Sequence, residues 1–278
     1  MIGQIEFTKM LASGNDFVVV EASRLRKSKT VKLKDLAIHI CDRKYGVGAD
    51  GLLILEKSNR ADIKMRIFNP DGSEPRMCGN GVRCVSLWLK SNIKHQKSQI
   101  FNIETKAGII ETRVNEGRVK IKMTEPKDIK LDLLIKIAPQ ARSVKVNFIN
   151  TGVPHTVIFV EGLDKIDIVD IGRRIRFYKI FQPEGTNVDF AQIIDDNNIR
   201  IRTYERGVEN ETLACGTGAV ASALLYAIRY TLYAKHKVDV HTKSGEVLGV
   251  EFERLNGKFK DVWLEGKARI VHTGVYYV

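Results

Sequence analysis

Two short segments of this 278-residue chain repeat each other at a spacing of 137 residues. The first reads Cys78-Gly79-Asn80-Gly81 and the second reads Cys215-Gly216-Thr217-Gly218. A glutamate precedes each cysteine by four residues, as Glu74 and Glu211. So long a period is typical of a duplicated domain, because solenoid repeats recur every ~20–50 residues. The sequence therefore predicts two similar halves, each with one cysteine in an equivalent position.

Local patterns predict a sheet-rich fold with few helices. Apolar and polar residues alternate with a period of two through most of the chain, which is typical of strands with one buried face. We expect hairpins at four turn sequences: Asn115-Glu116-Gly117, Asp195 to Asn198, Ser244-Gly245 and Asn256-Gly257. Apolar residues recur with helical spacing in four places, which are the stretches after Cys78 and after Cys215 and residues 33–43 and 167–176.

The formal net charge of +12 raises the question of nucleic-acid binding. The densest Lys and Arg clusters, at residues 24–34 and 173–176, are not interleaved with aromatic residues that would stack on bases. We interpret both clusters as solvated surface and expect no nucleic-acid partner. A non-catalytic basic RNA-binding protein is the alternative from another functional class.

The start of the chain lacks the basic and apolar regions of a signal peptide, and no apolar run reaches the ~18 residues needed to span a bilayer. The four cysteines are too few and too scattered for a secreted disulfide scaffold. We therefore expect a cytoplasmic protein with reduced cysteines and no membrane partner.

A cysteine directly before a helix has an unusual environment. The first N–H groups of a helix lack internal partners and the macrodipole adds partial positive charge. We therefore expect the pKa of the Cys78 and Cys215 thiols to lie below the ordinary value of about 8.5. The glycines that follow let backbone amides approach an anion. Cys41 and Cys84 lack this context, and we assign them to packing.

Two such thiols acting on one carbon suit the inversion of a stereocentre next to a carboxylate. One thiolate removes the α-proton from one face, and the opposite thiol delivers a proton to the other face. Backbone amides stabilise the negative charge that develops on the carboxylate. The alternative, in which both cysteines are small buried hydrophobic residues, does not account for the repeated Cys-Gly-x-Gly pattern.

Other motifs are weaker. Residues 46–51 match the dinucleotide pattern G-x-G-x-x-G, but a helix precedes them and a strand follows, which is the reverse of the required order. Cys78 and Cys84 have no second cysteine pair for a zinc site, and no lysine stands out for a Schiff base with pyridoxal phosphate. We therefore expect neither a metal nor a cofactor. His155 is the one histidine that we consider as a partner for a nucleophile or as a residue supporting the site, and a loop histidine with satisfied hydrogen bonds is an equally good interpretation.

Several segments, in order along the chain, resemble the diaminopimelate epimerase family. They are FTKM at 7–10, GNDF at 14–17, GVGADG at 46–51, RIFNPDGSEPRMCGNGVRC at 66–84, NTGVPH at 150–155, GTNVDF at 185–190 and YERGVENETLACGTGA at 204–219. The resemblance covers essentially the whole chain. It implies an α+β fold of two pseudo-symmetric domains, each a mostly antiparallel sheet wrapped around a central helix, with the active site in the cleft between the domains. It places the first domain at residues 1–124, completed by a strand at 267–278, and the second at 125–266.

The resemblance also implies an activity, which is the interconversion of L,L- and meso-diaminopimelate without a cofactor, on the route to lysine and peptidoglycan. Cys78 and Cys215 would be the acid and base. The residues implied to bind substrate are Asn15, Asn69, Gly79, Asn80, Asn187, Glu205, Arg206, Gly216 and Thr217.

One departure concerns substrate binding. Many members of the family read Asn-Pro-His where this chain has Val153-Pro154-His155, so one amide that would bind substrate is missing. Asn150 and Thr151 are candidate replacements, and so is a water molecule. A related racemase of another amino acid is therefore an alternative function. The oligomeric state stays open, with a homodimer as one option.

Overall fold

The structure is a computed structural model that describes residues 3–25, 32–92, 99–137, 143–230 and 235–278. Its strands are β1 (Gln4–Ala12), β2 (Asn15–Glu21), β3 (Gly51–Glu56), β4 (Ile63–Phe68), β5 (Ile100–Thr105), β6 (Gly108–Asn115), β7 (Arg118–Lys122), β8 (Lys127–Ile135), β9 (Val144–Asn150), β10 (Pro154–Phe159), β11 (Asn187–Ile193), β12 (Asn198–Glu205), β13 (Asn210–Thr212), β14 (Lys235–His241), β15 (Val247–Leu255), β16 (Lys258–Lys267) and β17 (Arg269–Tyr277). Its α-helices are α1 (Ala22–Leu25), α2 (Leu33–Cys41), α3 (Gly79–Asn92), α4 (Ile168–Arg176) and α5 (Gly216–Tyr230), and short 3-10 helices lie at Leu163–Lys165 and Lys179–Phe181.

The chain forms two compact units. The first contains Met1–Ile121 and Gly266–Val278, and the second contains Lys122–Glu265. All the described helices are too short or too polar to cross a lipid bilayer.

The sheet of the first unit has the strand order β17-β1-β2-β3-β4-β5-β6-β7. The pairs β2–β3 and β4–β5 are parallel, and the other pairs are antiparallel. Helix α3 contacts β1, β2, β4, β5, β6 and β17, so the sheet wraps around this helix. Helix α2 shares a second core with β2 and β3, to which Val18, Val20, Leu52 and Ile54 contribute. Strand β3 is buried along nearly its whole length, which explains its continuous apolar sequence GLLILE.

The sheet of the second unit repeats this topology. Its order is β8-β9-β10-β11-β12-β14-β15-β16, with β10–β11 and β12–β14 parallel. Strand β8 occupies the place that β17 has in the first unit, and the short β13 pairs with the end of β12. Helix α5 contacts β9, β10, β11, β12, β14 and β15. Helix α4 packs in a second core with β11 and β12, as α2 does in the first unit.

These elements confirm the predicted fold class of two repeated, sheet-rich halves. The four predicted hairpins are present, with strand partners Asn115 and Arg118 at the first turn. The helices after the two cysteines begin at Gly79 and Gly216, which are 137 residues apart as the repeat predicts. Helices α2 and α4 lie within the two other predicted ranges, and Asp167 caps α4 by accepting a hydrogen bond from the amide of Asp170.

Candidate active site

Cys78 lies directly before α3 and is partly buried. The amide of Gly81, in the first turn of the helix, lies 3.5 Å from Sγ of Cys78 and points its hydrogen at the sulfur. The carbonyl of Cys78 accepts the helical bond from the amide of Val82. A donor in this position favours a thiolate at Cys78, because the free amides of a first turn stabilise negative charge.

A one-directional chain of hydrogen bonds runs beside Cys78. Arg83 donates to Oδ1 of Asn80, Asn80 donates through Nδ2 to Oδ1 of Asn15 at 2.6 Å, and Asn15 donates through Nδ2 to Asp50 at 3.2 Å. A guanidinium can only donate and an ionised carboxylate can only accept. The two ends of the chain therefore determine which way the amides of Asn80 and Asn15 face.

The carboxylate end of this chain is held by cations. Arg43 donates to Asp50 at 2.7 Å and to Asp16 at 2.8 Å, and the buried ammonium of Lys9 lies 2.7 Å from Asp16. Burial would raise the pKa of Asp16, but hydrogen bonds from Arg43 and Lys9 lower it well below its usual range. Asp16 and Asp50 thus form a charged cluster with Arg43 and Lys9 next to Asn15.

Asn69 lies in the loop after β4. Its Nδ2 donates to Oγ of Ser73 at 2.9 Å, and its backbone amide donates to the carbonyl of Ser73 at 2.8 Å. Asp71 accepts from the hydroxyl of Ser73 at 2.6 Å. These hydrogen bonds stabilise the loop conformation, in which Asn69 is partly exposed.

Cys215 lies directly before α5 and is 7% exposed. Its Sγ is 3.5 Å from Oγ1 of Thr217. The same Oγ1 lies 2.9 Å from Nε2 of His155, and Nδ1 of His155 lies 2.7 Å from Oδ2 of Asp189. His155 and Asp189 are both fully buried, and Thr203 donates to the second oxygen of Asp189 at 2.7 Å.

The direction of these hydrogen bonds follows from the partner of Nδ1. A carboxylate at Nδ1 selects the tautomer with the proton on Nδ1, and in this neutral tautomer Nε2 is an acceptor. Thr217 then donates its hydroxyl to His155 and accepts from the Cys215 thiol. The network therefore offers the Cys215 proton a route to a buried histidine.

The structure corrects the expectation for the pKa of Cys215. Burial raises the pKa of this thiol well above its ordinary value, and the negative charges of Glu205 and Asp189 raise it further. The hydrogen bond with Thr217 and the one with the amide of Gly218 lower the pKa of Cys215, but these are smaller effects. Cys215 is therefore a thiol at neutral pH in this structure, because desolvation outweighs the helix terminus.

Glu205 and Asn187 lie at the ends of β12 and β11 in the same unit. Burial raises the pKa of Glu205. Asn187 is 4% exposed and accepts from the backbone amide of Arg206 at 2.8 Å, while its Nδ2 donates to the carbonyl of Pro154 at 3.0 Å. The guanidinium of Arg206 donates to the carbonyl of Glu184 at 3.0 Å. Asn187 thus holds the backbone that carries Arg206.

Four of the residues expected to bind a carboxylate are the first of their helices. Gly79 and Asn80 begin α3, and Gly216 and Thr217 begin α5. Amides in a first helical turn have no acceptor within the helix. Each helix start therefore presents donors that suit an anion.

The two candidate replacements for the missing amide at Val153 are both engaged locally. Asn150 accepts from the amide of Gly152 at 3.0 Å. Thr151 is 1% exposed, and its hydroxyl donates to the carbonyl of Thr217 at 3.1 Å. Thr151 therefore supports the first turn of α5.

The surroundings of the two cysteines differ although the topology repeats. His155 and Phe17 occupy the same position in β10 and β2. Asp189 lies against α5 where Leu53 lies against α3. At these two positions the Cys215 unit therefore carries polar, titratable side chains, and the Cys78 unit carries apolar ones.

Sequence reasoning missed Asp50, Arg83, Asp189 and Thr203. Two signals were available: Asp189 interrupts the apolar run of β11, and Arg83 is a charged residue in the buried part of α3. Among the described residues, no cluster of three or more His, Cys, Asp or Glu side chains has the geometry of a metal site. Cys41 and Cys84 are buried, as expected for packing, and burial raises the pKa of Cys41 to about 12.

Comparison with known sequences identifies relatives along the whole chain. The family model for diaminopimelate epimerase matches residues 7–129 and 147–271. A diaminopimelate epimerase of Aquifex aeolicus is 41% identical over 280 residues, covering 97% of this chain and 97% of the relative. A diaminopimelate epimerase of Archaeoglobus fulgidus is 43% identical over 258 residues, covering 87% of this chain and 88% of the relative.

Solved structures share the fold. A phenazine biosynthesis protein of the PhzF family from Bacillus anthracis superposes with a TM-score of 0.72 at 19% identity, covering 98% of each chain. A hydroxyproline epimerase from Agrobacterium vitis gives a TM-score of 0.71 at 17% identity, covering 99% of this chain and 93% of that one. Because the family model matches most of both halves and the curated relatives align over nearly their full lengths, the chain belongs to the diaminopimelate epimerase family.

Proposed function

We propose that this protein interconverts L,L- and meso-diaminopimelate by moving a proton at one α-carbon, as an isomerase of lysine biosynthesis. The duplicated Cys-Gly-x-Gly helix starts carry the proposal, because they supply two thiols of equivalent placement in the two units. Membership of the family supports the choice of substrate. The two halves of the enzyme would be residues 1–124 with 267–278, and residues 125–266.

Proton transfer needs one thiolate and one thiol. In one direction the Cys78 thiolate takes the α-proton, the Cα–H bond breaks, and the Cys215 thiol gives its proton to the opposite face of the carbon. The raised pKa of Cys215 and the Gly81 amide at Cys78 support this assignment. In the reverse direction Cys215 must first lose its proton, and Thr217 with His155 provides the acceptor.

The charges of the substrate match the groups near each thiol. The amides of Gly79, Asn80, Gly216 and Thr217 would hold the reacting carboxylate, where negative charge grows in the transition state. Arg206 would pair with the far carboxylate. The carboxylate of Glu205 would lie near the reacting ammonium. This chemistry requires no cofactor, because the thiols and amides supply acid, base and charge stabilisation.

Solvent deuterium exchange tests the reaction. We expect the purified protein, without added pyridoxal phosphate, to incorporate deuterium at the α-carbon of either isomer. Cys78→Ala and Cys215→Ala variants should each lose epimerisation by several orders of magnitude, while Cys41→Ala should remain active. Undiminished epimerisation by either of the first two variants would refute the proposal. A panel of other amino acids tests the racemase alternative, which Val153 keeps open.

We further propose that the partner of the site is a small molecule and not a nucleic acid. Several basic side chains have acidic partners, including Arg24 with Glu6 at 3.2 Å and Arg174 with Asp170 at 3.0 Å. Such pairs reduce the charge available for phosphates. RNA filter binding at two salt concentrations should show only weak, salt-sensitive retention.

A homodimer through the first unit is also proposed. Strand β17 pairs with β1 along one side and carries exposed apolar side chains, among them Val271, Val275 and Tyr277. An edge strand of this kind favours pairing with another strand. Light scattering after size exclusion should give a mass of two chains, and Tyr277→Lys should shift it toward one.

A further inference from the structure

Glu74, four residues before Cys78, joins three segments of the first unit. Its carboxylate accepts two hydrogen bonds from Arg66 on β4, at 2.8 and 3.1 Å. The ammonium of Lys106, in the turn between β5 and β6, lies 2.7 Å from the same carboxylate. The side chain of Glu74 is 11% exposed. The loop that leads to Cys78 is thus tied to a strand and to a hairpin turn.

The second unit contains the same arrangement before Cys215. Glu211 accepts two hydrogen bonds from Arg202 on β12, at 2.6 and 2.9 Å. Lys243, in the turn between β14 and β15, donates to Glu211 at 2.6 Å. The side chain of Glu211 is 8% exposed. A backbone bond of 2.9 Å from Ser244 to Leu213 adds to the tie between this turn and the loop.

The two triads, Arg66–Glu74–Lys106 and Arg202–Glu211–Lys243, have the same residue types and the same pairings in the two units. Both lysines occur in the sequence Thr-Lys-x-Gly, at 105–108 and 242–245. The triads are retained in both units, whereas the polar His155 and Asp189 of one unit correspond to apolar residues in the other. The triads therefore go with the property that the two cysteines share, which is their position directly before a helix.

The basic partners of the two glutamates favour their ionised form. Hydrogen bonds from Arg66 lower the pKa of Glu74 to about 2, with Lys106 adding to the effect. Burial would raise the pKa of Glu211, but Arg202 and Lys243 lower it overall. Bidentate Arg–carboxylate pairs are directional as well as strong. Only three residues separate each glutamate from its cysteine, so a fixed glutamate restricts where the sulfur can lie.

We infer that Glu74 and Glu211, each clamped by its arginine and lysine, are positioning residues that hold Cys78 and Cys215 at the starts of their helices. The inference deepens the proposed function, because it concerns the same two thiols. Even without substrate, each clamp controls the reactivity of the cysteine in its own unit.

Alkylation of the full-length protein by iodoacetamide, followed for each cysteine by mass spectrometry across pH, tests this claim. In Glu74→Gln we expect Cys78 to react at least threefold more slowly at pH 7.5, because its sulfur moves away from the Gly81 amide. In Glu211→Gln we expect Cys215 to react at least threefold faster, because loosening the loop reduces its burial. The cysteine of the other unit should change by less than twofold in each case.

The matched control in the first unit is Glu56→Gln. Glu56 also pairs with Arg66, at 3.3 Å, and with Lys64, at 2.7 Å, but it lies on β3 and not before a cysteine. Its removal should leave both thiols unchanged. If a glutamine variant does not fold, Lys106→Met and Lys243→Met remove one exposed arm of each clamp and should shift the same cysteine in the same direction.

Epimerisation assays add a second readout. Each glutamine variant should lose at least tenfold in kcat with KM changed by less than threefold, as expected for misplaced proton-transfer groups. Folded variants with unchanged thiol reactivity would overturn the inference, and so would equal changes at both thiols in each variant. If the wild-type protein lacks epimerase activity while the thiols respond as described, the proposed function fails and the positioning role stands.

Discussion

His155 and Asp189 form a fully buried pair 34 residues apart in sequence, with Nδ1 of the histidine 2.7 Å from Oδ2 of the aspartate. The pair reaches Cys215 through a single hydroxyl, that of Thr217. We therefore expect Thr217→Val to lower kcat by about 10–100-fold, since a positioned acid–base group contributes ~100-fold or more. The loss should be larger in the direction in which Cys215 must lose its proton before it can act as the base. Steady-state kinetics in both directions measures it.

Thr217→Ser is the matched control, because it keeps the hydroxyl and removes only a methyl group. It should retain most of the activity. Equal losses in the serine and valine variants would mean that packing, and not the hydrogen bond, is what Thr217 contributes.

The charge of Glu205 should influence the titration of Cys215. Burial is the main cause of the raised pKa of Cys215, and the negative charge of Glu205 is the next. A thiol with a raised pKa reacts only as the pH rises past its ordinary range, so removing the negative charge should move its reaction to lower pH. Glu205→Gln should therefore increase alkylation of Cys215 severalfold at pH 8–9.

The effect of Glu205→Gln should vanish at a pH below the pKa of Glu205, where the wild-type side chain is neutral. Glu161→Gln, at an exposed position of the same unit, should leave the pH profile of Cys215 unchanged. A shift of the profile to higher pH in Glu205→Gln would contradict the assigned electrostatics.

Asp50 should control substrate binding without touching the reacting atoms. It is the acceptor that orients Asn15, and a hydrogen bond to a charged group contributes about 1.5–3 kcal/mol. Asp50→Asn should therefore raise KM by about tenfold or more and change kcat by less than threefold. Asp164→Asn, which alters an exposed ion pair with Arg200, is the control and should behave as wild type. A fall in kcat at constant KM would rule out this role.

Gly218 and Gly81 occupy equivalent positions in α5 and α3 but should respond differently to alanine. A Cβ at Gly218 would overlap Oδ1 of Asp189, whereas a Cβ at Gly81 would lie 3.1 Å from a terminal methyl group of Leu53. Alanine adds about 1 kcal/mol of helix propensity at both sites. Overlap in a packed core costs about 1–3 kcal/mol, so Gly218→Ala should melt several degrees below Gly81→Ala. Calorimetry of the two variants gives the comparison, and similar melting temperatures would argue against the contact with Asp189.

Much of the fold could be predicted because its signals are local. The hairpin at Asn115-Glu116-Gly117 and the helix after Cys215 depend on turn chemistry and on apolar periodicity within about 15 residues. The duplication is visible because two copies of one motif lie 137 residues apart. The pairing of β17 with β1 joins the two ends of the chain, and no local pattern encodes that contact.

The candidate site was predictable in its residue types but not in its electrostatics. The order of residues establishes that each repeat carries a cysteine before a helix, followed by glycines that leave the amides free. A lowered pKa was the reasonable expectation for both thiols, yet Cys215 is raised because folding buries it beside Glu205 and Asp189. Desolvation and like charges depend on atoms that come from distant strands, so they exist only once the sheet has formed around α5.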